Sequence, residues 1–239
     1  MIYAVTAAAT LAAGLVHGVT GFGAGIVMML ALPFYFALPQ SAGISTAVVL
    51  PMCLAMFLRY RKDVNVKKAL MPCLVYMPLC SFIIRFSVSV NQALLKRVFG
   101  AFLLLLALYY LLSPKADSRK PLPRYAGPLC AALAALCDGL FGIGGPPMVL
   151  YFLRATDSPR EYLGTLQLFF LVNCVYNTAF RFVSGVLAPA HLPLIGLGML
   201  GILGGMTLGN RLVDRLDAAL LRKLTYGMIG VSGLMNLLL

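Results

Sequence analysis

The chain has 239 residues, of which 61% are hydrophobic and 11% charged, and its formal net charge is +12. A soluble domain carries about a quarter charged residues. Here apolar runs of the roughly 20 residues that cross a bilayer fill most of the sequence, so the composition points to a polytopic membrane protein solvated by lipid. The positive residues lie in short loops between apolar runs, where they set topology, and no basic run accompanies a soluble module, which excludes nucleic acid as a partner.

The first apolar segment covers residues 2–38, with a glycine-rich break at 17–25. It has no basic leader and is expected to belong to the fold, not to a cleaved signal peptide. Apolar runs follow at 41–58, 69–88 and 98–112. A linker at 113–125, rich in Pro and charge, then marks a cytoplasmic joint between a first transmembrane repeat, 1–112, and a second, 126–239. The second half opens on another broken segment, 126–153, and continues with runs at 163–180, 193–210 and 219–238.

The two halves are related in sequence. A shift of 121 lays Gly18, Gly21 and Gly23 on Gly139, Gly142 and Gly144, His17 on Asp138, Gly43 on Gly164 and Cys53 on Cys174. Later in each half the shift is 126, which lays Arg85 on Arg211 and Leu94-Leu95-Lys96-Arg97 on Leu220-Leu221-Arg222-Lys223. An internal duplication with a small insertion accounts for both shifts.

Segment 126–153 is too short for two full spans. If it crosses once, each half has four spans and the repeats are parallel. If it enters and returns as two half-helices, each half has three full spans and the repeats are inverted. Placing loops 59–68, 113–125, 154–160 and 211–223 on the inside puts 15 of the 19 Lys and Arg there, against 10 for the parallel arrangement. The positive-inside rule therefore favours inversion. The expected fold is an all-α polytopic membrane protein of two inverted homologous repeats, each a glycine-broken or re-entrant helix hairpin plus three spans.

Broken helices at membrane depth are tolerated where they line a cavity or are packed in protein. A half-helix beginning after each glycine cluster would aim free N–H groups and a positive dipole end at the membrane centre. Two such ends would hold a small anion, with Gly21, Phe22, Gly23, Ala24 and Gly25 on one side and Gly142, Ile143, Gly144, Gly145 and Pro146 on the other. The competing reading is close helix packing through small residues. That reading is preferred for Gly201, Gly205 and Gly209, spaced four apart on one helix face.

Asp138 is the acidic residue deepest in an apolar run, and an intramembrane charge is functional by default. It is a candidate for proton coupling or for capping the neighbouring half-helix. His17, its repeat equivalent, is the second proton-coupling candidate. Gln167, Asn173 and Asn177 are candidate substrate ligands or interhelical glue, with Asn173 and Asn177 on one face. Ser41, Ser45 and Thr46 occupy the corresponding stretch of the first half. Arg181 extends the Asn173–Asn177 face. With Arg85 and Arg211 it is a candidate gate or anion-steering residue, the alternative being snorkelling at helix ends.

At these residues the sequence resembles the TauE/SafE family of sulfite and organosulfonate exporters. The resemblance spans essentially the whole chain. It rests on Gly21-Phe22-Gly23-Ala24-Gly25 and Gly142-Ile143-Gly144-Gly145-Pro146-Pro147, and on Leu95-Lys96-Arg97-Val98-Phe99-Gly100 echoed by Leu221-Arg222-Lys223-Leu224-Thr225-Tyr226. It implies a secondary transporter in the cell inner membrane, moving a small anion such as sulfite or a sulfonate by alternating access, and not an enzyme. No Walker lysine motif suggests a nucleotide-driven motor, and no cofactor or metal is expected. Six cysteines without a C-x-x-C pair argue against a zinc site or a secreted disulfide framework. Two other functions remain open: a passive anion channel, and a thiol–disulfide electron carrier using the repeat-equivalent Cys53 and Cys174. Oligomeric state is left open, a homo-oligomer included.

Overall fold

The computed structural model describes residues 2–112, 123 and 125–212. The last expected run, 219–238, and all but two residues of the linker lie outside the described residues. The described chain is helical: α1 Ile2–Thr20, α2 Ala24–Met29, α3 Leu38–Tyr60, α4 Val66–Ser89, α5 Gln92–Leu112, α6 Ala126–Phe141, α7 Gly145–Ala155, α8 Pro159–Val183 and α9 Leu192–Leu212. Among the described residues four helical segments are long and apolar enough to cross a membrane: Leu38–Asp63, Val66–Ser89, Pro159–Val183 and Pro189–Arg211. Leu74, Phe82 and Phe86 on α4 and Leu200 on α9 are exposed, as suits side chains that face lipid. The protein is a multi-pass membrane protein.

The helices stop where the sequence says they must. Gly21 and Gly142 have φ of +78° and +67°, a left-handed geometry that L side chains resist. Each donates its N–H to the carbonyl four residues back, Gly21 to His17 at 2.7 Å and Gly142 to Asp138 at 2.9 Å. These are equivalent bonds at equivalent repeat positions, closing α1 and α6 in the same way. Pro146 and Pro147 suit the first turn of α7, where a missing N–H leaves no helical bond unmade. Asn65 and Ser158 cap α4 and α8 by accepting from Lys68 N and Glu161 N.

Packing repeats across the halves. α1 lies on α9, and α6 lies on α4. Gly18 meets Met206 and Gly209, and Gly139 meets Cys80 and Ile83; the shifts of 121 and 126 convert one set into the other. Gly201 lies against Thr10, Gly205 against Leu11 and Gly209 against Leu15, so this ladder is the seam between α9 and α1. One apolar cluster joins α2, α3 and α9, and its counterpart joins α4, α6, α7 and α8.

Two directions matter for the site. Tyr151 of α7 reaches Gly127 at the far end of α6, its hydroxyl 3.0 Å from where a Cβ would stand, so α7 folds back along α6. The repeat-equivalent helices α3 and α8 run antiparallel. Gly164 near the start of α8 meets Tyr60 at the end of α3, while Gly43 near the start of α3 meets Arg181 near the end of α8. Loops 59–68 and 154–160 meet on one face. There Lys68 Nζ pairs with Asp157 at 3.1 Å and Glu161 at 2.9 Å, and Asn65 Nδ2 donates to Glu161 at 3.0 Å.

Candidate functional site

The two glycine breaks face each other. A Cβ on Gly25 would stand 3.0 Å from the Gly142 carbonyl, and one on Gly142 would stand 2.9 Å from Ala42 of α3. Between the breaks lies a cavity of about 90 Å³, with Phe22, Gly23, Ala24 and Gly25 on one wall and Gly142, Ile143, Gly144, Gly145 and Pro146 on the other. Ser45 and Cys53 of α3, Tyr76 of α4 and Asn173 of α8 complete it, together with His17 and Asp138. Among the described residues no Lys or Arg lines it.

The two breaks offer different donors. The first N–H groups of any helix lack a helical acceptor. In α7 the residues after Gly145 are Pro146 and Pro147, which have no N–H, and Gly144 before them lies against the Asp138 side chain. In α2 the corresponding positions are Ala24, Gly25 and Ile26, all with N–H groups and all lining the cavity. The second copy is thus poorer in backbone donors and richer in side-chain polarity.

Asp138 is the centre of that polarity. Tyr76 donates its O–H to Asp138 Oδ2, and Asn177 Nδ2 donates to the same oxygen at 2.7 Å and to Tyr76 Oη at 2.9 Å. Gly144 must be glycine here, because a Cβ would lie 2.8 Å from the Asp138 Cβ. Arg181 is fully buried and supplies the nearby positive charge. Its Nη1 donates to the Pro39 carbonyl at 2.9 Å and its Nη2 to the Asp138 carbonyl at 3.0 Å, so it caps the negative end of α6 and ties it to the start of α3. A buried carboxylate is costly unless charge and hydrogen bonds balance it, and both are present.

Of the sequence candidates, the glycine segments, His17, Asp138, Asn173, Cys53 and Cys174 meet at the cavity, with Gly21 just behind it. Gln167 and Asn177 support the wall from behind, Gln167 by donating to the Gly21 carbonyl at 3.1 Å. Arg181 faces helix-end carbonyls. Arg85 is exposed with its guanidinium 5.6 Å from the Phe180 ring centre, and Arg211 is exposed at the end of α9. The Cys53 and Cys174 thiols are free and adjacent across the α3–α8 contact. Among the described residues no group of three or more His, Cys, Asp or Glu could hold a metal. Sequence reasoning missed Tyr76, Phe169 and Phe170. An aromatic residue in an apolar run carries no signal of its own; only its packing against Asp138 or the cavity marks it.

The sequence profile described as sulfite exporter TauE/SafE matches residues 6–236. The chain belongs to the TauE/SafE family. A probable membrane transporter protein of Methanocaldococcus jannaschii is similar to it, 25% identical over 94% of this chain and 91% of that protein. A probable sulfite/organosulfonate exporter TauE of Cupriavidus necator is 29% identical over 41% of this chain and 38% of its own length. No solved structure matches the chain. Members of the TauE/SafE family are membrane exporters and not enzymes, so this chain is a membrane transporter.

Proposed function

We propose that the protein exports a small oxyanion, sulfite or an organosulfonate, across the cell inner membrane by alternating access, with the anion held between the two glycine breaks. The observation that carries this reading is the cavity: both breaks wall it, backbone and side-chain donors face it, and among the described residues no cation lines it. A site of neutral donors holds an anion through directed N–H and O–H groups. It also avoids an Arg or Lys that would bind too tightly to release. The name of the Cupriavidus relative supports the choice of anion.

The antiparallel pair α3 and α8 supports inverted repeats. A two-fold axis in the membrane plane reverses equivalent helices, whereas an axis along the membrane normal keeps their direction. The return of α7 along α6 supports re-entrant hairpins, and the meeting of loops 59–68 and 154–160 supports one cytoplasmic face for both. Asp138 is the proposed carrier of a coupled proton, since it lines the cavity and its carboxylate form is held by donation from Tyr76 and Asn177 to Oδ2. Proteoliposomes with an imposed pH gradient test this: sulfite should accumulate against its own gradient. Equilibration without accumulation would make the protein a passive channel.

A further inference from the structure

His17 on α1 and Ser45 on α3 both line the cavity, and each carries a buried polar atom without a partner, His17 Nδ1 and Ser45 Oγ. The state of His17 follows from its neighbours. Gln167 Nε2 stands 3.1 Å from the Gly21 carbonyl, and only an N–H can face that oxygen, so the orientation of the amide is fixed. The same nitrogen lies 3.3 Å from His17 Nε2. Nε2 is therefore the acceptor, and the proton of the neutral ring sits on Nδ1 as an unused donor. Ser45 differs from the hydroxyls around it. Thr46 donates to the Ala42 carbonyl at 2.8 Å and Ser41 to the Phe36 carbonyl at 3.3 Å, while Ser45 makes no such bond. Its Oγ lies 3.8 Å from where a Cβ on Gly25 would stand, beside the first break. Buried donors are satisfied in folded proteins, by protein, water or ligand. A third unpartnered atom on a wall residue, Asn173 Oδ1, can only accept, since the amide nitrogen donates to the Phe169 carbonyl, and does not belong to this pair of donors.

We infer that His17 Nδ1–H and Ser45 Oγ–H are substrate-binding donors, each taking one oxygen of the anion. This rests on the reading of the cavity as an anion site and sharpens it. His17 then binds and does not carry a proton, and the anion is read by two neutral side-chain donors placed beside the α2 break.

The test uses transport kinetics of radiolabelled sulfite and of ethanesulfonate in proteoliposomes. Asn places an amide N–H near the position of imidazole Nδ1, whereas Gln places it near Nε2. His17→Asn should keep KM within about threefold of wild type. His17→Gln and Ser45→Ala should raise KM by about 10- to 100-fold with little change in kcat, the loss expected for one hydrogen bond to an anion. Melting temperature and gel filtration establish that each variant is folded. If Ser45→Ala does not fold, the Asn–Gln comparison at His17 carries the test. Unchanged KM in His17→Gln, or a loss in His17→Asn as deep as in His17→Gln, overturns the assignment while wild-type flux keeps the anion reading. A wild-type protein that moves neither probe overturns the anion reading and the assignment with it.

Discussion

Arg181 reaches Asp138 through the backbone and not through the carboxylate: its Nη2 donates to the Asp138 carbonyl at 3.0 Å while Tyr76 and Asn177 hold Oδ2. The buried cation thus neutralises the site without entering it. Removing it should leave Asp138 uncompensated. Arg181→Met should destabilise the protein by about 3–5 kcal/mol, read as a large drop in melting temperature or folded yield. Arg181→Lys should not restore it, because a point ammonium cannot bridge the Pro39 and Asp138 carbonyls as the planar fork does.

The glycine breaks should be unequal in tolerance. Both Gly21 and Gly142 have positive φ, and an alanine in that conformation costs about 1–2 kcal/mol. At Gly21 the added Cβ would meet the mobile end of Leu163 at 3.0 Å, but at Gly142 it would meet the Ala42 Cα and Cβ at 2.9 Å. Gly142→Ala should therefore lower the melting temperature more than Gly21→Ala. Gly144→Ala, which drives a methyl onto Asp138, should stop flux. Parallel melting curves and flux assays check all three.

Much of this arrangement is legible in the sequence because it is written twice. The shift of 121 identifies Gly21 with Gly142, and the structure gives them the same φ region and the same closing bond. Composition and run length place α3, α4, α8 and α9 to within a few residues. What the sequence does not carry is which neighbour each polar face meets. Arg181 continues the polar face of Asn173 and Asn177, which suits a gate, yet in the fold that part of the face meets the end of α6. Likewise Pro146 marks a helix start without showing that its missing N–H falls at a cavity wall. The partners of Asp138 come from α4 and α8, far apart in sequence, and no local pattern announces them.

Topology yields to labelling. In a background without native cysteines, Lys62→Cys and Asp157→Cys should both react with an impermeant maleimide from the cytoplasmic side, since loops 59–68 and 154–160 meet through Lys68 and Asp157. Reaction from opposite sides would restore the parallel arrangement.

The thiol pair at the cavity wall separates transport from redox chemistry. Cys53→Ser with Cys174→Ser should leave sulfite flux within about twofold of wild type, as buried cysteines otherwise behave as small hydrophobic side chains. Loss of flux together with a disulfide that forms and breaks during turnover would support the electron carrier.

Asp138→Asn keeps the shape of the side chain and removes the titrating group. It should abolish accumulation driven by a pH gradient while sulfite exchange across the membrane persists. Loss of both would assign Asp138 to the fold of the site and not to coupling.

The central claim is that the cavity between the breaks takes an anion, and competition for radiolabelled sulfite uptake tests it most directly. Sulfite and ethanesulfonate in excess should suppress uptake by wild-type proteoliposomes, and cationic or neutral solutes of the same size should not. Suppression by the neutral or cationic solutes alone, or uptake no greater than in empty liposomes, would contradict it.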